Sequence, residues 1–258
     1  MTTPVMLWLG SLPLLLVLGV AAWAVSTVRR NVGLVDIFWS LFLLVAAVVV
    51  FLRSPPSPRG WLVLGLTTAW AIRLASYLAA RNWNAPEDHR YRAIRARNEP
   101  GFTWKSAYLV FGLQAVLAWL ISAPLAAAIA LPGAAGLLGW AGAALAAFGI
   151  AYESVADRQL TRFKAQAENA GQVMDQGLWR YSRHPNYFGE FCVWWGLYLL
   201  AADAGGWWTL FSPLLMSVLL LRVSGVALLE KDIGERRPAY QDYMRRTRAF
   251  IPGPPREA

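Results

Sequence analysis

The sequence is poor in the residues that build metal sites and covalent cross-links. It has one cysteine, Cys192, and two histidines among 258 residues. A single cysteine excludes an internal disulfide and a cysteine-based metal site. With only two histidines beside it, no zinc site is expected. No Gly-x-Gly-x-x-Gly turn follows a strand, so a dinucleotide site of the Rossmann kind is excluded. The first apolar run lacks a basic n-region, and no small-residue cleavage site follows it, so no cleaved signal peptide is expected. Charged residues make up only 15% of the chain, and few of them fall inside the apolar runs.

Those runs dominate the rest. The chain is 57% hydrophobic and has 14 Trp. Spanning a bilayer takes roughly 18 to 20 apolar residues, and the sequence offers seven segments near that length. They are Val5–Ser26, Val32–Leu52, Trp61–Ala80, Ser106–Ala130, Gly136–Asp157, Asn186–Ala202 and Trp207–Leu229. The fifth is rich in Ala and Gly, which lets helices approach closely in lipid, and is expected inside the bundle. The net charge of +9 could point to nucleic acid, but its distribution fits membrane topology instead. Arg29 and Arg30, the polar segment Arg81–Lys105, the stretch after Asp157 and the C-terminal tail hold 20 of the 24 Lys and Arg. The opposite loops hold only Arg53 and Arg59. Seven spans put all the basic segments on one side, with the N-terminus outside and the C-terminus cytoplasmic. The expected fold is an all-α bundle of seven transmembrane helices. It forms one domain over residues 1–258, with residues 230–258 as a basic cytoplasmic tail.

One stretch concentrates the chemistry: Gly177-Leu-Trp-Arg-Tyr-Ser-Arg-His-Pro-Asn-Tyr-Phe-Gly-Glu190. Pro185 biases His184 away from helix, so a helix is expected to start near Pro185 or Asn186. Asn186 and Glu190 then share a face at i and i+4, beside a cluster of cations. A carboxylate about one turn inside an apolar helix needs a polar cavity and a partner. The plain alternative is a juxtamembrane anchor with Glu190 paired to a nearby arginine.

Other ionisable groups lie at membrane depth. They are Asp36 in the second span, Arg73 with Tyr77 one turn on in the third, Glu153 and Asp157 in the fifth, and Arg222 and Glu230 in the seventh. Gln114 in the fourth is the weakest of the set. All but Gln114 fall in the half nearest the basic loops. They form either register-fixing ion pairs, such as Asp36 with Arg73 or Glu230 with Arg222, or the walls of a cavity open to the cytosol. Buried pairs rarely repay their desolvation, which favours the cavity for the set as a whole. Such a cavity suits a large polar ligand and an apolar partner arriving from the lipid.

The Gly177–Glu190 stretch resembles the signature of the membrane steroid 5α-reductase superfamily, most closely its bacterial branch. The likeness extends to Val35-Asp-Ile-Phe-Trp39, Arg73 with Tyr77, Arg81-Asn-Trp83, Glu87-Asp-His-Arg-Tyr91, and Glu153 with Asp157. It continues through Leu221–Val226, Glu230-Lys231 and Tyr240–Pro252. The resemblance implies a seven-helix bundle in the bacterial inner membrane. It would bind NADPH from the cytosol and reduce the carbon–carbon double bond of an enone, typically a 3-oxo-Δ4 steroid. By position, Asn186 and Glu190 match the residues that hold the nicotinamide end, Asp157 matches an Asp on the fifth helix, and Tyr181 a Tyr ahead of the sixth. Arg73 and Tyr77 match an Arg-Tyr pair on the third. The chain also departs from the animal enzymes. It lacks their Gln-Glu pair on the second helix, where Asp36 is the nearest acid. Trp70 stands for a Tyr and Glu153 for an Asn. An isoprenoid or other lipid enone is therefore as open as a steroid.

On this reading Asp36 or Tyr77 donates to the carbonyl oxygen, where charge builds during hydride transfer. A low dielectric could keep Asp36 protonated for that role. Trp39, one turn from Asp36, and Trp70 are candidate substrate walls, and packing is the other reading for Trp39. Arg81, Arg90, Arg95, Lys164, Arg180 and Arg183 suit the cofactor's phosphates. His184, Tyr187, Arg222 and Glu230 complete the cofactor set. No metal and no nucleic acid are expected, and the partners are a lipophilic substrate and membrane lipids. Two other classes stay open. Arg183-His-Pro-x-Tyr-x-Gly189 with the later Glu230 also resembles S-adenosylmethionine-dependent methyltransferases of the isoprenylcysteine type. A non-enzymatic bundle that holds only a lipid headgroup is the third.

Overall fold

The computed structural model describes residues 3–223, 225–230 and 238–256. Ser224 and residues 231–237, which carry Lys231 and the start of the basic tail, lie outside the described residues. The described chain is helical and contains no strand. In order the helices are α1 (Pro4–Leu9), α2 (Leu12–Arg29), α3 (Val35–Leu52), α4 (Pro58–Asn82), α5 (His89–Asn98), α6 (Phe102–Ser106) and α7 (Leu113–Ile121). They continue with α8 (Ala123–Ala130), α9 (Leu137–Ala165), α10 (Pro185–Asp203), α11 (Phe211–Val218), α12 (Val226–Glu230) and α13 (Ala239–Arg246). Among the described residues six helical stretches are long and apolar enough to cross a membrane: Pro4–Arg29, Val32–Leu52, Pro58–Asn82, Phe102–Ile121, Leu137–Ala165 and Trp207–Glu230. The chain is a multi-pass membrane protein.

Two details differ from the sequence expectation, each for a local reason. The fourth span does not run unbroken from Ser106 to Ala130. It stops at Ser122, because Pro124 in the next turn has no N–H to extend the ladder, and the Ser122 hydroxyl donates to Trp119 O at 2.7 Å. The short α8 that follows is buried from Ala123 to Ile129. Its end is closed by Arg59, expected as a loop charge but only 4% exposed. The guanidinium donates to the carbonyls of Ala128 (3.2 Å), Leu131 (2.8 Å), Pro132 (3.1 Å) and Ala134 (3.2 Å). A cation over the last carbonyls of a helix satisfies groups that nothing else in the helix can reach.

The second difference concerns which helix is enclosed. The Ala- and Gly-rich α9 buries one face only, through Ala143, Ala146, Gly149, Glu153, Ala156 and Asp157, while Phe148 and Val155 on the other side are exposed. The 19-residue α10 is the enclosed one: Gly189, Glu190, Cys192, Val193, Trp194, Leu197, Tyr198 and Leu200 are all buried. A helix surrounded by protein need not be apolar enough to dissolve in lipid. That is why α10 tolerates Asn186 and Glu190, and why apolarity alone leaves it outside the six.

The described chain forms two compact units. One holds Met1–Trp140 with Leu200–Ser212, the other Ala141–Leu199 with Pro213–Ala258. In the first unit, Trp8 and Trp119 stack at 4.3 Å, and each indole N–H donates to the other's carbonyl, at 2.7 and 2.9 Å. In the second unit, α9 and α10 touch backbone to backbone. A Cβ at Gly149 would lie 2.5 Å from Gly189 O, and one at Gly196 would lie 2.5 Å from Gly142 O and Ala146 N. Only glycine fits there, and the contact fixes α10 against the acid-bearing turn of α9.

Candidate functional site

In the second unit, that crossing sets the geometry. A Cβ at Gly189 would meet Glu153 Cβ and Glu153 N at 2.7 Å. Glu190, the next residue, is 7% exposed, Glu153 2% and Asp157 3%. Three carboxylates are thus enclosed where α9 meets the start of α10. Asn186 lies one turn ahead of Glu190 and is half-buried. The helix begins at Pro185, as its sequence predicts.

The loop ahead of α10 is tied down by one carboxylate. Arg183 donates from Nε to Glu230 Oε1 and from Nη2 to Glu230 Oε2, both at 2.7 Å. His184 Nε2 lies 2.8 Å from the same Oε1. The remaining Nη1 of Arg183 donates to Met244 O at 3.0 Å and Thr247 O at 2.5 Å. Backbone bonds repeat the pattern: Arg183 N donates to Arg248 O at 2.9 Å and Gly253 N to Tyr181 O at 3.0 Å. The Ser182 hydroxyl donates to Phe250 O at 2.7 Å and accepts from His184 N at 3.1 Å. Tyr243 donates to Trp179 O, and the Trp179 indole to Ala156 O at 3.0 Å. The His184 ring lies parallel to Tyr187 at 5.6 Å. The described part of the basic tail is therefore folded onto the signature loop. Burial draws Arg183 down, but its bonds to Glu230 outweigh it and hold the guanidinium above its ordinary range. Burial pushes the Tyr240 and Tyr243 phenols up.

The first unit holds a separate polar cluster at the entry to α3. Asp36 accepts from the Tyr91 hydroxyl at 2.5 Å on Oδ1 and from Arg90 Nη2 at 3.2 Å on Oδ2. Gln114 Nε2 lies 3.5 Å from the Tyr91 oxygen. Asp88 caps α5, accepting from Arg90 N at 2.9 Å and Nε at 3.0 Å. Glu87 accepts from Val32 N at 2.8 Å and takes Arg95 through both oxygens, at 3.0 and 2.9 Å. Burial pushes the Tyr91 phenol well above its ordinary range, and the adjacent Asp36 adds to it. Burial lowers Arg90, but Asp36 and Tyr91 more than reverse this.

The structure thus joins Asp36 to Arg90, and Glu230 to Arg183 and His184. Arg222 is exposed, as are Lys164, Arg180 and Tyr181. Arg73, Tyr77 and Trp39 are half-buried in the first unit, with Arg81 over the Tyr77 ring at 5.5 Å. Trp70 is fully buried and forms part of that unit's core. Arg183, read from sequence as a phosphate ligand, is occupied by Glu230 and the tail. Tyr91, Glu87, Ser182 and Tyr243 belong to these clusters without being among the sequence candidates. Their signal was the density of polar residues in Glu87–Tyr91 and the aromatic spacing of Tyr240 and Tyr243, which give no partner.

Residues 22–247 match a family described as "Protein of unknown function (DUF1295)". "Uncharacterized protein C594.04c" of Schizosaccharomyces pombe is 27% identical over 269 residues, covering 92% of this chain and 77% of the yeast protein. No solved structure matches. The family match spans the Asp36 cluster, the α9–α10 crossing and the Arg183–Glu230 network, and the chain belongs to this DUF1295 family.

Proposed function

We propose that this chain is an NADPH-dependent membrane reductase. Its reaction is hydride transfer to the carbon–carbon double bond of an enone in a lipophilic substrate, a 3-oxo-Δ4 steroid or a steroid-like or isoprenoid lipid. The observation that carries the reading is the enclosure of Glu153, Asp157 and Glu190 at the α9–α10 crossing, beside Asn186. Three buried carboxylates are a poor device for stability. They suit the amide donors of a nicotinamide and the positive charge its ring carries after oxidation. The residues fit that end of the cofactor, and Lys164 and Arg180, both exposed, are cations suited to its phosphates. When bound, NADPH supplies the hydride. Asn186, Glu190, Glu153 and Asp157 orient the ring, and the burial of α10 keeps water from it. The reading takes α10 as a seventh span, with the N-terminus outside and the C-terminus in the cytoplasm of a bacterial inner membrane, because the basic segments then share a side.

A specific observation favours a second reading. The Arg-His of the Arg183-His-Pro-x-Tyr-x-Gly189 motif meets Glu230, which unites the parts of the methyltransferase resemblance. A fluorescence titration of detergent-purified protein with NADPH and with S-adenosylmethionine separates the two, on wild type and Glu190→Ala. The expected result is NADPH binding that Glu190→Ala abolishes. S-adenosylmethionine binding alone overturns the reductase, and silence from both in folded protein leaves the lipid-binding bundle.

A further inference from the structure

We infer that Glu230 and Arg183 are positioning residues, which hold the first turn of α10, and with it Asn186 and Glu190, in register for the ligand. The inference rests on the reading that Asn186 and Glu190 hold the nicotinamide end. Its basis is how the guanidinium is used. Arginine has five N–H donors. Nε and one Nη2 donor are spent on Glu230, and Nη1 serves two tail carbonyls. The side chain is 9% exposed and that of Glu230 12%. One Nη2 N–H is left, so Arg183 cannot turn a two-donor fork to a phosphate without leaving a mostly buried carboxylate or two backbone carbonyls short of a donor, which buried polar groups do not tolerate well.

The same carboxylate fixes His184, the residue before Pro185. Glu230 Oε1 sits 2.8 Å from His184 Nε2, and the ring rests parallel on Tyr187, one turn along α10. The first turn of a helix lacks internal partners for its N–H groups, so its direction is set from outside. Here Ser182, Arg183 and His184 supply that direction, and all three are tied either to Glu230 or to the tail. Glu230 sits 47 residues from Arg183 in sequence, so α12, the tail and the signature loop are held by one group. Misplacing a binding group by about 1 Å can lower function about 100-fold.

The test is NADPH and NADH affinity on wild type, Arg183→Lys, Glu230→Gln and the double variant, with Glu190→Ala as control. Limited trypsin cleavage at Arg245, Arg246 and Arg248 reports separately on tail docking. Positioning predicts that both single variants weaken NADPH and NADH equally, by about 10-fold or more. The double variant is then no worse than either single, because the two residues act as one unit. Tail cleavage speeds up in all three. A direct phosphate ligand predicts instead that Arg183→Lys alters NADPH against NADH while Glu230→Gln leaves both unchanged, and that result overturns the inference. So does an unchanged Glu230→Gln in a protein where Glu190→Ala loses NADPH. Absence of NADPH binding in the wild type overturns the reductase reading, and this inference with it. Should Glu230→Gln fail to fold, Ser182→Ala removes only the hydroxyl's bonds to Phe250 and His184. Positioning requires it to weaken both nucleotides equally, and unchanged affinity counts against it.

Discussion

Two carboxylates in this molecule each take one arginine through both oxygens, and their surroundings make them different devices. Glu87 holds Arg95 at 3.0 and 2.9 Å; Glu230 holds Arg183 at 2.7 Å twice. The two carboxylates are equally enclosed, Glu87 10% and Glu230 12% exposed, but the Arg95 side chain is 31% exposed and that of Arg183 9%. The first pair joins residues eight apart, in a segment that only has to clip α5 to the start of α3. The second joins residues 47 apart and carries a histidine and two tail carbonyls besides. The worth of an ion pair therefore lies in what cutting it leaves behind. Arg183→Ala strands a largely buried carboxylate, and removing one partner of such a pair costs about 3–5 kcal/mol. Denaturant titration in detergent should show that loss. An equal loss from Arg95→Ala would break the contrast, because the arginine side of that pair is open to water, and a partly solvated pair contributes about 0.2–1 kcal/mol.

The next effect separates the α9–α10 crossing from ordinary helix surface. Gly189→Ala puts a methyl 2.7 Å from Glu153 Cβ and N. Overpacking of this kind costs about 1–3 kcal/mol, and here it also displaces Glu190. Gly65 in α4 has nothing within 4 Å of such a methyl. Gly65→Ala should stabilise by about 0.5–1 kcal/mol, because alanine loses less backbone freedom in a helix. Equal signs for the two would show that the close approach is not what holds α10. Smaller again is Tyr91→Phe in the first unit. It removes a hydrogen bond to a carboxylate, about 1.5 kcal/mol at the low end for charged partners, while Asp36 keeps Arg90. Amide exchange across α5 should rise while the nucleotide affinity of the protein is unchanged.

What was legible in the sequence was local. Run length showed the apolar spans, Pro185 the start of α10, and the Gly and Ala of the fifth span a close helix contact. Which side of that contact is enclosed was not legible, because α9 and α10 both carry small residues and acids. Burial depends on what packs around each. The break at Ser122 was written in Pro124, but a proline near a helix end reads equally as a kink. The membrane-depth charges were found, yet their pairing was not. Arg90, Arg183 and His184 come from segments that sequence spacing cannot bring to Asp36 or Glu230. The tail read only as basic and cytoplasmic, because charge counts carry no information about backbone carbonyls, and those carbonyls are what Arg183 binds.

The smallest effect is a pH dependence at the Glu87–Arg95 pair. Burial pushes the Glu87 carboxyl up, but the bonds from Arg95 and from Val32 N–H outweigh it, so the folded group lies below its ordinary range. Unfolded glutamate titrates near about 4.3. A group depressed on folding contributes stability that is present above that value and is lost as pH falls through the folded one. Between pH 6 and pH 3 the docking of α5 on α3 should therefore loosen, by less than about 1 kcal/mol because the pair is partly solvated. Hydrogen exchange at the Val32 amide reads this directly, since that amide donates to Glu87. Glu87→Gln cannot ionise and should flatten the acid limb, and Arg95→Ala should shift it to higher pH. An acid limb identical in wild type and Glu87→Gln would assign the sensitivity to another carboxylate. The Glu87 pair would then be a contact without electrostatic weight, and the contrast with Glu230 sharper than drawn.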